Sequence, residues 1–223
     1  MKRIISFLLV LLTLLCSSLG LASCDRSYDE EGVKLAAVDL IKKSEILNEI
    51  YWGEGIPYTS SSIAVYGEAN IIALQELGFF TIEELKVKTK EVFSERYCDQ
   101  IFTSSFSTIS DGDEIEFYKR YYQKYADEAQ LEPECIMVYT KFENMLTDTV
   151  EYLYDTLEVT HSKRDLVYVK ISVKVTNSKG EVKYRDKSIA LYEEEYGWRL
   201  DSSTYMTNID VAEEYEDLLD KKK

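Results

Sequence analysis

The chain has 223 residues and a formal net charge of −15 at pH 7. This charge argues against nucleic acid as a partner, because phosphates are bound mainly through Lys and Arg, and against a domain that lies flat on anionic lipid. Eighteen tyrosines and only two prolines indicate an aromatic-rich globular chain rather than a disordered one.

The first 24 residues are typical of a lipoprotein signal. A basic "MKR" start precedes an apolar segment, 4–15, which is shorter than the roughly 20 residues of a transmembrane helix. The signal ends in "LASC" at 21–24, which resembles the bacterial lipobox, whose cysteine receives a diacylglyceryl group. We therefore predict a signal peptide over 1–23, lipidation of Cys24, and anchoring at the extracytoplasmic face of the cell membrane. Plain secretion with an incidental Cys24 is the alternative.

Removal of the signal peptide leaves 200 residues, enough for one domain with its own core. The signal carries two basic residues and no acid, so the net charge of −15 becomes −17. We predict a lipidated N-terminus and tether over 24–32, one domain over 33–208, and a C-terminal helix or tail over 209–223. The membrane partner is then the lipid on Cys24.

Helical patterns fill the first half of this domain. Apolar residues recur at three and four over 33–50 and stop before "WGEGIPY", which has two glycines and a proline. Thr81 and Glu84 form a capping-box pattern, which predicts a helix from that point to about Cys98. An apolar and tyrosine stripe over 114–130 predicts a third helix.

The pattern changes to a period of two from Cys135 onward. The cleanest strand is "LVYVKISVKVT" at 166–176, followed by a turn in which Gly180 can adopt positive φ. The next strand changes parity, which predicts a β-bulge at 185–188. Helices followed by hairpin-connected strands predict an α+β fold, with N-terminal helices packed on the concave face of a curved antiparallel sheet, as in an NTF2-like or cystatin-like cone.

Two further cysteines remain in the mature chain. In an oxidising compartment Cys98 and Cys135 could form a disulfide. They could equally remain two buried thiols, each behaving as a small hydrophobic residue. The sequence leaves both alternatives open.

Candidate chemistry in the sequence is sparse. His161 is the only histidine, which rules out a multi-histidine metal site, and its place at a strand end indicates a structural or exposed role.

The acidic loop at 110–116 has the oxygen ligands that calcium prefers, but it lacks the residue order of an EF-hand loop. A solvated loop is therefore favoured over a calcium site. Asp186 and Asp201 are the only candidates for a buried carboxylate of the kind that isomerases use for catalysis. We therefore assign no catalytic residue, no metal site and no cofactor. The carboxylates of the acidic loop are Asp111, Asp113, Glu114 and Glu116.

Three segments carry a family resemblance: "IYWGEGIPY", "TIEELKVKTKEVFSERYCDQIFTSSF" and "GWRLDSSTY". They resemble segments of lipoproteins from clostridia and their relatives that contain an NTF2-like or cystatin-like domain. The resemblance spans roughly 33–208 and implies a fold and a surface location, not a reaction. The second segment also has a fainter similarity to the DL-endopeptidase inhibitor family, whose acidic members bind wall hydrolases.

Together these observations predict a non-enzymatic, membrane-anchored lipoprotein whose acidic domain binds a protein or cell-wall component. One alternative is an inhibitor of a cell-wall hydrolase, in which the acidic surface blocks a basic cleft. Another is small-ligand binding or isomerisation inside the cone.

Overall fold

The computed structural model describes residues 28–59, 64–107, 119–126, 134–146 and 148–206. The signal peptide, Cys24, the acidic loop at 110–116 and the tail at 209–223 lie outside these ranges. No helix in the described part is both long enough and apolar enough to cross a membrane.

The described residues form helices and antiparallel sheets, as the predicted α+β class requires. The helices are α1 (Glu30–Tyr51), α2 (Ile71–Leu77), α3 (Ile82–Val92) and α4 (Glu95–Ser105).

The strands form two four-stranded sheets, of order β1-β2-β4-β3 and β5-β6-β7-β8. Every strand pair in both sheets is antiparallel. The first sheet contains β1 (Tyr58–Thr59), β2 (Tyr66–Ala69), β3 (Tyr121–Lys124) and β4 (Cys135–Tyr139), and the second contains β5 (Thr149–Lys163), β6 (Leu166–Thr176), β7 (Val182–Glu194) and β8 (Gly197–Leu200).

Helix α1 follows its predicted pattern. It ends at Tyr51, directly before the predicted breaker, and Gly55 adopts a φ of 83° in the following turn. Its apolar stripe is buried, and the helix contacts β5 and β8. One hydrophobic cluster joins side chains from the helices and both sheets, so the core is continuous. The buried stripe of α1 includes Val33, Ala37, Leu40, Ile41, Leu47 and Ile50.

Helix α3 begins as predicted but ends earlier. The Thr81 side chain accepts from the Glu84 amide, and the Glu84 carboxylate accepts in return from the Thr81 amide. The helix stops at Val92 rather than near Cys98, because Phe93 is extended and bridges Leu200 of β8. A new helix, α4, then starts from its own cap.

The predicted helix over 114–130 is wrong where the structure describes it. Tyr121–Lys124 is strand β3, paired with β4. Tyrosine suits a pleated, half-buried surface, and the Tyr121 hydroxyl donates to the carbonyl of Ile50 at 2.6 Å. Tertiary contacts of this kind outweigh a helical spacing, since intrinsic propensity is a weak prior.

Strand β6 and its turn into β7 match the prediction, with Gly180 at a φ of 80°. The predicted bulge at 185–188 is wrong, because β7 pairs with β6 without interruption from Val182 to Tyr192. The parity change instead reflects exposure: Val182 and Tyr184 are 48% and 68% exposed. The register shifts occur in the β5–β6 pair, after Leu153 and again after Val159.

Candidate functional site

A cavity of about 430 Å³ lies between the second half of α1 and the start of β5. We call it the α1–β5 cavity. Its size is within the range of small-molecule sites. It is lined by Glu45, Ile46, Asn48, Glu49, Leu146, Asp148, Thr149, Val150, Tyr152, Thr204, Tyr205 and Met206.

Three structural elements bring these residues together. Glu45, Asn48 and Glu49 are three and four residues apart on α1 and therefore lie on one side of that helix. The β5 wall is provided by its first residues, among them Tyr152. Thr204 follows β8, and its backbone carbonyl accepts a hydrogen bond from the Tyr152 hydroxyl.

A chain of buried hydrogen bonds forms the floor of the cavity. The Asn48 amide nitrogen donates to the Thr204 hydroxyl at 2.8 Å, and the Thr204 and Ser44 hydroxyl oxygens are 2.6 Å apart. Ser44 donates to the carbonyl of Ile41 at 2.7 Å. Ser44 and Thr204 are both fully buried. The last residues of the domain are thus attached to α1 by polar contacts.

The direction of this chain follows from proton counting. The single hydroxyl hydrogen of Ser44 goes to a backbone carbonyl, so Thr204 must donate to Ser44. Thr204 then has no hydrogen left for Asn48 and must accept from its amide nitrogen. The orientation of the Asn48 amide is therefore fixed, with its Oδ1 directed away from Thr204.

The Asn48 carbonyl oxygen has no partner among the described residues. Asn48 is only 6% exposed, and its Oδ1 is a buried acceptor without a hydrogen bond. Such an acceptor lowers stability by about 1–3 kcal/mol, so native proteins rarely leave one unpaired. The Asn48 amide is therefore a buried polar group that the described fold leaves half-satisfied.

The cavity lining has a single sign of charge. Glu45, Glu49 and Asp148 are acidic, and no Lys or Arg is among the lining residues that the structure describes. The Tyr154 hydroxyl donates to Glu45 at 3.3 Å, and burial, reinforced by that carboxylate, raises the pKa of Tyr154 to about 12. This side of the domain therefore presents negative charge around a buried acceptor.

Aromatic and aliphatic surface completes the cavity. The Tyr205 ring packs against Trp52, with centroids 4.3 Å apart. Ile46 lies at the rim and is 51% exposed. The cavity lining therefore contains both acidic and apolar side chains.

A second concave surface, which we call the acidic cleft, lies between the start of α4 and the β7–β8 turn. Its volume is about 720 Å³. The Glu95 amide donates to Glu194 at 2.9 Å, which connects its two sides. The cleft is lined by Ser94, Glu95, Arg96, Asp99, Tyr192, Glu193, Glu194, Glu195 and Tyr196.

Asp201, predicted as a candidate buried carboxylate, is indeed buried, with its side chain 2% exposed. Its charge is compensated, because the Arg96 guanidinium pairs with it and the Ser94 hydroxyl donates to it. Asp201 does not line the α1–β5 cavity. The arrangement is that of a structural ion pair, not of a general base facing a substrate.

The remaining predicted residues lie elsewhere. Asp186 is exposed on β7 and accepts from Ser172 at 2.8 Å. His161 is exposed on β5, with its ring 6.1 Å from that of Tyr168. In the part of the chain that the structure describes, no three His, Cys, Asp or Glu side chains are grouped to hold a metal ion.

The two cysteines are present as thiols and not as a disulfide. Cys98 is buried on α4, and burial raises the pKa of its thiol to about 12. Cys135 begins β4, with its sulfur 3.7 Å from that of Met137. Of the two thiols, Cys98 is buried and Cys135 is half-buried.

The sequence interpretation did not identify Ser44 and Asn48. A signal was present, because both follow the apolar stripe of α1 at helical spacing and are buried with it. Polar residues on an apolar helix face are expected to be hydrogen-bonded within the fold. Thr204, their partner, lies 156 residues beyond Asn48 and could not be paired with it from spacing.

Comparison with known proteins identifies no relative: no family model, curated protein or solved structure matches the chain.

Proposed function

We propose that this protein is a membrane-anchored extracytoplasmic lipoprotein whose non-catalytic acidic domain binds a cell-wall component or a protein. The observation that carries the binding role is the α1–β5 cavity, a concave surface of about 430 Å³ bordered by three acidic residues. The anchoring role rests on the "LASC" sequence and the lipidation expected at Cys24. The non-catalytic role is supported by Asp201, because this buried carboxylate is paired with the Arg96 guanidinium.

The same proposal includes a finer description of the fold as an NTF2-like or cystatin-like cone. Contacts of α1 with β5 and β8 support it, as does the meander of β5 to β8. The two register shifts in the β5–β6 pair also favour a bent sheet, since such irregularities increase local twist. The resemblance to clostridial-type lipoproteins is consistent with this description.

The acidic cleft favours a second candidate function, inhibition of a cell-wall hydrolase. Tyr196, at its edge, is 82% exposed, and the cleft contains five carboxylates. A partner with a basic cleft would match this surface. If purified protein does not slow wall lysis by any hydrolase from the same cells, this candidate is excluded.

Membrane anchoring is tested by cell fractionation. Wild-type protein should sediment with membranes and incorporate an alkyne-labelled fatty acid, whereas Cys24→Ser should do neither. If Cys24→Ser remains in the membrane fraction with unchanged mature mass, the anchoring proposal is wrong.

Binding is tested by site-specific crosslinking in cells. A photo-crosslinker at Ile46 samples the cavity rim, while one at Tyr184 samples another exposed position, on β7 outside the cavity. A product formed from Ile46 and not from Tyr184 supports a partner at the cavity. Equal patterns from both positions would contradict a binding role for this face.

A further inference from the structure

We propose that the segment 209–220 folds back as an amphipathic helix onto the inner face of strands β5 to β7, beside a basic stripe on β7. The inner face is the side on which Val150 and Tyr152 line the α1–β5 cavity. This inference goes beyond the proposed function and does not depend on it, because both docking partners belong to this chain. It joins three observations: a stripe of positive charge, the apolar surface beside it, and the place where the described residues end.

The basic stripe consists of Lys183, Arg185 and Lys187. These residues alternate along β7, so their side chains lie on the same face of the sheet. That face is the inner one, because Lys183 is opposite Val175, which is in turn opposite Val150, and directly opposed residues share a face. A chain with a net charge of −15 thus places three positive charges within about 13 Å along one strand.

Apolar side chains of β5 and β6 lie beside the stripe. Val173, opposite Arg185, is fully buried, although it is not among the described side chains that form the continuous hydrophobic cluster. An apolar cover from another part of the chain suits this position. In the two rows of residues concerned, β5 and β6 place no carboxylate on the inner face. These rows are Val150, Val175 and Lys183, and Tyr152, Val173 and Arg185.

The segment 209–220 has the complementary pattern. Val211, Tyr215 and Leu218 are four and three residues apart, which is the spacing of one helix face. At about 100° per residue, Glu214 and Glu216 border this apolar face on opposite sides. A helix that lays its apolar face on the sheet therefore brings carboxylates to the basic stripe of β7. The segment contains no basic residue, and its carboxylates are Asp210, Glu213, Glu214, Glu216, Asp217 and Asp220.

The described residues end where this docking can begin. The Thr204 carbonyl accepts from the Tyr152 hydroxyl, so the chain stands one side-chain length above the inner face. Arg185 lies two strands from Tyr152, a distance of about 10 Å. Residues 205–208 can span about 13 Å, so the segment reaches the stripe without rearrangement of the core. Docking also fixes Met206, which lines the α1–β5 cavity.

Carbodiimide crosslinking of the intact protein tests the contact. This reagent joins an amine directly to a carboxylate, so a product reports two groups in contact without a spacer. We expect Lys183 and Lys187 to be joined to carboxylates of 209–220 at a yield at least about fivefold above that of Lys163 and Lys179, which are exposed at the turns before and after β6. Equal yields from all four lysines, or no product from the stripe, would show that the segment does not dock there.

A mixture of unlabelled and ¹⁵N-labelled protein assigns the docking partner. Crosslinked products in which both peptides carry the same isotope show that each chain docks on itself. Mixed-isotope products would show that the segment docks on a second copy, and they would overturn the proposal.

Hydrogen exchange with a charge-matched pair of variants tests the cause. In wild type, amides of 209–220 should exchange at least about tenfold more slowly than in a synthetic peptide of that segment. Lys183→Glu/Lys187→Glu should bring the rate within about threefold of the peptide, whereas Lys163→Glu/Lys179→Glu, with the same change in net charge, should retain the protection. Amides of β6 in the same samples show that the sheet is intact. Wild-type exchange as fast as that of the peptide, or equal rates in the two variants, would contradict the proposal.

Discussion

Two buried polar clusters fix the chain after β8, and they differ in one respect. The closed cluster consists of Ser94, Arg96 and Asp201, and the open cluster consists of Ser44, Asn48 and Thr204. Each attaches residues 201–204 to a helix, the first to the start of α4 and the second to α1. In the closed cluster the buried charge is compensated, while in the open cluster one buried acceptor is not.

The difference lies in how completely the buried groups of each cluster are paired. A buried polar group that is fully paired specifies one arrangement of the chain, whereas a half-satisfied group lowers the stability of that arrangement. Both clusters should therefore respond to mutation in stability, and most strongly where a paired group is removed.

The largest effect should come from the closed cluster. Arg96→Ala leaves the Asp201 carboxylate, which is 2% exposed, without its counter-charge. We expect a loss of about 2 kcal/mol, below the usual value for a fully buried pair because the Arg96 side chain is 64% exposed. Urea denaturation measures it, with Lys174→Ala as the control, which removes an exposed pair with Glu151. Equal urea midpoints for both variants would show that the Arg96 charge does not stabilise the buried Asp201 carboxylate.

Breaking the open cluster at its centre should have the next largest effect. Thr204→Val keeps the shape but removes the acceptor for Asn48 and the donor for Ser44. We expect about 1.5 kcal/mol of destabilisation. Thr160→Val is the matched control, since its hydroxyl contacts a backbone carbonyl at an exposed position, and it should change stability by less than about 0.5 kcal/mol. A neutral Thr204→Val would show that the chain of hydrogen bonds does not hold residues 201–204.

Asn48→Leu should change stability less than Thr204→Val does. The substitution removes a donor that is paired and an acceptor that is not, so the two effects offset each other and stability should change by less than about 1 kcal/mol. Urea denaturation of the two variants measures the difference. Destabilisation larger than that of Thr204→Val would remove the distinction between the clusters.

The smallest effect should be a pH dependence at the acidic rim. The folded pKa of Tyr154 is about 12, against an ordinary value of 10.0, because burial and Glu45 disfavour the phenolate. The unfolded chain therefore ionises first, so this contribution to stability is complete below pH 10 and is lost as the pH rises through 12. Tyr154→Phe lacks this titration and should gain stability relative to wild type between pH 10 and 12. Guanidinium denaturation at pH 8 and pH 11 tests the trend, and parallel changes in both proteins would contradict it.

Local patterns accounted for the elements whose signals are complete within a few residues. The burial stripe of α1, the capping box at Thr81 and Glu84, and the alternation of β6 each depend on neighbours along the chain. Helical and strand periodicities, caps and tight turns are determined at that range. For the same reason the α+β class followed from the order of these patterns.

The remaining features depended on partners far along the chain. Phe93 ends a helix because it meets Leu200, and Tyr121 lies in a strand because β4 pairs with it. The parity change in β7 was interpreted as a bulge, although only burial shows that Val182 and Tyr184 are simply outside the core.

The candidate site shows the same division. The sequence alone showed that acidic residues recur along α1, and it predicted a lipoprotein signal at the start of the chain. Only the tertiary structure determined that Thr204 uses the donor of Asn48 and leaves its acceptor without a hydrogen bond among the described residues. The physical reason is that hydrogen-bond satisfaction is a property of the packed neighbourhood, and packing brings together residues that no local pattern connects.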